Sequence, residues 1–129
     1  MTSEENEELV AYRFNKAKET LQDAIDLVAA NKWNLAVNRV YYSCFYAVNA
    51  LLAKRQIYTK THSGAKQMFG MHFVKTGEID TSLNDFYVKV FSMRQSGDYE
   101  DFCDYEEEEV AVLIAPASLL LQTIERKLQ

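Results

Sequence analysis

Four glycines, one proline and two cysteines are all that 129 residues contain of the types that most constrain turns and cross-links. So few glycines and prolines leave room for few tight turns, which disfavours a sheet-rich fold and favours long helices. Two cysteines make no disulfide framework. Cys44 falls inside a helical pattern as a small core residue, and Cys103 falls beside an acidic turn. No glycine-rich phosphate loop is present, and no serine stands in a nucleophile setting with a histidine and an acid. The two histidines, His62 and His72, have no cysteine or carboxylate spacing around them that completes a zinc set, so no metal and no cofactor is expected. No apolar run approaches the length of a membrane span, and the amino-terminal MTSEENEEL is acidic and polar, unlike a signal peptide. A cytoplasmic protein without a membrane partner is the expectation. The net charge of −5 argues against broad electrostatic capture of nucleic acid, while leaving room for a local basic patch.

What is present is apolar patterning. The composition is 48% hydrophobic, enough for one packed domain over residues 1–129. Val10, Phe14, Ala17, Leu21, Ala24 and Val28 alternate spacings of four and three, predicting a helix over about 6–30. A second helix, about 34–55, carries the stripe Val37, Tyr41, Cys44, Val48 and Leu51. Val40, Phe45, Ala47 and Leu52 broaden that stripe, which places the helix centrally. Ala65, Met68, Phe69, His72 and Phe73 suit a short additional helix at about residues 62–73, capped by Thr61 or Ser63 and followed by a turn at KTG. His72 is expected at the core edge and His62 in a more exposed position, where it could meet an anion with Lys60 or Lys66. A fourth helix starts near Asp80 or Thr81 and reaches about 96, where Gly97 ends or bends it. Asp104 with Glu107 suggests a capping box for the last helix, and Pro116 should kink or interrupt that helix. The architecture expected is all-α, an up-and-down bundle of four long helices with one short helix added.

Two groups of polar residues need an account. Leu83, Tyr87 and Val90 share one face of the fourth helix, and Arg94 is the next step of that stripe. A charge there must pair, reach solvent or meet a ligand. Asp98 lies one turn on, in reach of a pair, and Tyr99 follows it. Arg94 could instead offer its planar fork to a phosphate or to a carboxylate across an interface. On the second helix, Arg39, Tyr42, Tyr46 and Asn49 share a face, with Asn38 beside it. Tyrosines there suit a packed protein contact or stacking on a base. The four consecutive glutamates from Glu106 to Glu109 lie where a helix dipole favours them and lack the spacing of a metal centre or a two-carboxylate hydrolase.

Four blocks carry a resemblance: YRFNKAKETLQDA, NKWNLAVNRVYYSCFYAVNALL, KTHSGAKQMFGMHFVKTGEI and RQSGDYEDF. In order and residue type they resemble HEPN-domain proteins of the small stand-alone prokaryotic type. The resemblance implies a helical bundle, commonly a homodimer. It also implies nucleotide binding in some members and, in others, metal-independent ribonuclease activity in a toxin–antitoxin pair with a nucleotidyltransferase-like partner. In those ribonucleases an arginine facing the groove between two subunits is followed, four to six positions on, by a histidine. Arg94 and Gln95 match the arginine and its polar neighbour, but Asp98 and Tyr99 occupy the fourth and fifth positions after it. Neither is an easy proton shuttle near neutral pH. The reading is therefore a non-catalytic binding module for a nucleotide, RNA or a nucleotidyltransferase-type partner, with Arg94, Asp98, Tyr99, Asn38, Arg39 and Tyr42 at the ligand. The alternatives are a ribonuclease using Arg94 and Tyr99, and a purely structural dimeric adaptor.

Overall fold

The structure, a computed structural model, describes all of residues 1–129, and every regular element in it is helical. Helix α1 (Ser3–Ala29) begins at Thr2, whose hydroxyl accepts from the Glu5 N–H, and buries Val10, Phe14, Ala17, Leu21 and Ala24. Those are five of the six positions that its spacing singles out. A turn through Asn31, in the left-handed region at φ 59°, leads into α2 (Trp33–Lys54). Helix α2 packs against α1 along its length and also meets α3 (His62–Phe69), α4 (Thr81–Tyr99) and α6 (Ile114–Leu128). This central position explains why its buried set runs well around the cylinder, from Ala36 and Val37 to Leu52 and Ala53.

Thr61 caps α3 by accepting from the Gly64 N–H at 2.8 Å. The helix then widens into a π turn over Gly70–Val74 instead of continuing as regular α-helix. The KTG turn is present, with Gly77 at φ 85°. His72 is exposed rather than at the core edge, because Phe69 and Phe73 take the inward positions of that stretch.

Helix α4 is capped by Asp80 and continues through Gly97 to Tyr99. Gly97 does not end it. Its role is close packing, since a Cβ there would stand 3.0 Å from the Tyr105 ring. The final helical region starts two residues later than the Asp104 capping box would have it. The cap is Glu106, whose N–H donates to the Glu109 carboxylate at 3.1 Å. The reason lies upstream. Asn34 accepts from the Tyr105 N–H at 2.9 Å and donates to the Cys103 carbonyl at 2.8 Å, which holds residues 103–105 in a connection outside the helix. Helix α5 (Glu107–Val110) is one turn long and passes through a 3₁₀ turn, Ala111–Leu113, into α6. Pro116 explains that break: it has no N–H to continue an α-helical ladder back to Val112, so it stands in the first turn of a new helix, where the N–H is not needed. No helix is long and apolar enough to cross a membrane.

Candidate functional site

Arg94 sits where its stripe places it, behind Leu83, Tyr87 and Val90 on the buried side of α4, and is 6% exposed. Its electrostatic situation is poor for a buried cation. The Nε is sealed from solvent without a hydrogen-bond partner. The one carboxylate in ionic range, Asp98, lies 4.0 Å from Nη1, beyond hydrogen-bond distance. Aromatic faces hold the guanidinium in place of acceptors: its carbon is 4.9 Å from the Tyr41 ring centre, 5.7 Å from Tyr42 and 5.9 Å from Tyr99.

The Asp98 carboxylate is drawn the other way. It accepts from Asn38 Nδ2 at 2.9 Å, and the Asn38 carbonyl oxygen accepts from Arg39 Nε and one Nη at 3.0 and 2.7 Å. Arg39 in turn lies over the Tyr42 ring at 5.0 Å. All six residues that the sequence singles out therefore stand in one continuous cluster, contributed by the amino half of α2 and the carboxyl end of α4. Tyr99, the last residue of α4, is 76% exposed and forms its outer edge.

His62 belongs to the same neighbourhood, which sequence reasoning did not foresee. The first residue of α3 is half-buried. Its ring stacks on Phe45 at 4.2 Å, and its Nδ1 shares a 2.7 Å hydrogen bond with the Tyr41 hydroxyl. Tyr41 is the ring beneath Arg94, so imidazole, phenol and guanidinium form one stack of contacts. Burial and, after it, the Arg94 charge hold the imidazole below its ordinary value, which makes His62 neutral at pH 7. Burial drives the Tyr41 phenol far above its ordinary value, with Arg94 opposing. The only sequence signal for this contact is Thr61 as a cap, which fixes the start of α3; the partner is 21 positions away. His72 is remote in role as well as exposed. No three His, Cys, Asp or Glu side chains gather as metal ligands.

The cluster brings together the groups that an anion could meet. A guanidinium with unused donors lies among rings and is flanked by a second arginine, with a neutral imidazole one contact away. The chain is 38% identical over 125 residues, covering 97% of it and 95% of the relative, to a protein named "UPF0332 protein" from Thermotoga maritima. It is 34% identical to "Putative toxin MJ0142" of Methanocaldococcus jannaschii, over 88% of this chain and 77% of that one. A second protein of that organism, "Putative toxin MJ0605", is 31% identical over 88% of this chain and 84% of its own length. The HEPN domain pattern matches residues 10–127, so this chain belongs to the HEPN domain family.

Proposed function

We propose that the chain is an RNA-binding HEPN module, working as a homodimer, in which Arg94 receives a backbone phosphate and a ring of the cluster contacts a base. The observation that carries this is the unsatisfied state of Arg94: a guanidinium at 6% exposure, with Nε unpartnered and its carboxylate at 4.0 Å. A residue kept for stability would be fully paired, because an under-satisfied buried charge costs stability. Arg94 gains acceptors when a phosphate arrives, and a phosphate offers the bidentate geometry that its fork fits. Tyr42, half-buried beside Arg94, supplies a ring face for a base.

The R94M variant tests this. A methionine keeps the apolar stem of the side chain and removes the charge and its fork. The expected result is a melting temperature equal to or above that of the wild type, together with an RNA dissociation constant raised by at least tenfold. A purely structural adaptor predicts the reverse: truncating a needed buried pair costs about 3–5 kcal/mol and leaves ligand affinity alone. Intact RNA affinity in R94M sinks the proposal.

His62 supports a second reading, a metal-independent ribonuclease acting as a toxin; two relatives are named "Putative toxin". A neutral imidazole bonded to the ring under Arg94 supplies what Asp98 and Tyr99 lack: an unprotonated nitrogen base within the cluster. In such cleavage the ribose 2′-oxygen bonds to phosphorus and its proton passes to the base. The bond to the 5′-oxygen then breaks, that oxygen takes up a proton, and Arg94 balances the charge building on the phosphate. Incubating RNA with wild type, R94M and H62Q in the presence of a chelator decides it: products from the wild type alone establish the nuclease, and no products leave the binding module.

A further inference from the structure

His62 has a second side. The cavity it borders, about 270 Å³, lies between α1, α2 and the connection that precedes α3, and Arg94 is not in its lining. Arg13, Lys16 and Lys60 line it, and no carboxylate does. In a chain with 19 acidic and 14 basic side chains this local excess is the opposite of the average. The cations are also uncommitted. The two ion pairs of the structure are Arg55–Glu78 and Arg94–Asp98, so none of the three is neutralised. Arg13 is held in place by donating from Nη1 to the Asn49 carbonyl at 3.3 Å. The Lys16 ammonium lies 5.3 Å from the Tyr46 ring centre and 5.8 Å from Tyr12, and both rings belong to the same lining. Three free cations beside two ring faces match a phosphate joined to a base.

The wall between this cavity and Arg94 is thin. His62 stands 5.6 Å from the Tyr42 ring centre, and the Arg94 guanidinium 5.7 Å from the same ring centre. We infer that the cavity of Arg13, Lys16 and Lys60 is a second phosphate subsite, holding a nucleotide unit of the strand whose phosphate meets Arg94, with His62 between the two. The inference rests on the RNA-binding reading of Arg94. The base of that unit lies against Tyr46 or Tyr12, and the three cations take the phosphate oxygens.

Salt dependence separates the two sites. Binding of a labelled octa-uridylate, followed by fluorescence anisotropy over a range of sodium chloride, has a slope set by the number of phosphates neutralised, about 0.7 per contact for a single strand. The variant K16Q/K60Q is expected to bind at least tenfold more weakly at low salt, with a slope shallower by about 1.4 for two lost contacts. The control K75Q/K89Q, of equal charge change on exposed positions outside the cavity, is expected to stay within twofold of the wild type. Uridine monophosphate is the second probe: its binding should be lost in K16Q/K60Q and kept in R94M, which assigns the lone nucleotide to the cavity. If K16Q/K60Q matches the control while R94M is weakened, the subsite is wrong and the Arg94 reading stands. If K16Q/K60Q is weakened and R94M is not, the Arg94 reading is wrong and the cavity stands. A wild-type protein that binds neither probe overturns both.

Discussion

At Tyr41, side chains from three helices meet on one ring: among them Arg94 covers its face, His62 bonds its hydroxyl, and Phe45 stacks alongside at 5.9 Å. The guanidinium therefore acts on the imidazole without touching it, as the second cause, after burial, of its lowered value. R94M should raise the His62 value toward that of a free histidine, read from the imidazole resonances in an NMR titration; an unmoved midpoint would remove Arg94 from His62's surroundings. The same depression makes stability depend on pH with a definite sign. On acidification the unfolded imidazole takes up its proton near pH 6.5, before the folded one does, so the unfolded state gains. Stability from this residue is complete above that value and is lost as pH falls toward the lowered folded value. Denaturant unfolding at pH 7.5 and 5.5 should therefore show a smaller acid loss in H62Q than in wild type, and equal losses would contradict the assignment. Arg94 was legible in the sequence because a charge on an apolar stripe is a local irregularity. His62 was not, since nothing within a few residues of it signals a hydrogen bond to a helix 21 positions earlier.

The helices themselves follow from the spacing of apolar residues, and their centres agree with it because burying a stripe dominates what each segment can do. Their ends do not, and two cases show why. Gly97 reads as a breaker by composition, yet α4 runs through it because the missing side chain is needed for the Tyr105 ring to approach. The Asp104 cap satisfies the local pattern, yet Asn34, some seventy positions away, holds residues 103–105 outside the helix. Both exceptions concern one joint, where the start of α2 secures the connection leaving α4. Tyr105 completes it by donating to the Met93 carbonyl at 2.9 Å. This joint positions Asp98 and Tyr99 beside Arg94. N34A leaves the Tyr105 N–H and the Cys103 carbonyl without their partner, at a cost of about 1–3 kcal/mol in unfolding free energy. Chemical denaturation checks this, and a loss under half a kcal/mol would mean that the connection needs no such anchor.

At the scale of the whole molecule, the connection after α4 has an unusual surface. Tyr99 is 76% exposed, and Phe102 is fully exposed with φ 61°, a left-handed conformation that a bulky residue adopts at some cost. Two aromatic rings facing solvent within four residues, at the edge of the Arg94 cluster, are an arrangement that gains by being covered. The homodimer proposed above covers it with the same segment of a second copy, since a two-fold contact uses one patch on both subunits. That proposed pairing would also bring two Arg94 clusters to one cleft and double the cations that an RNA strand meets, offsetting the chain's net charge of −5. The double variant Y99D/F102D sets two carboxylates against their own copies across that axis. Light scattering on the eluting protein should then give the mass of a single chain, where the wild type gives twice that mass. RNA affinity should fall in parallel, because each separated subunit retains only one Arg94. A wild type that elutes as a monomer removes the shared cleft. A Y99D/F102D dimer of undiminished RNA affinity places the two-fold contact on another face of the bundle.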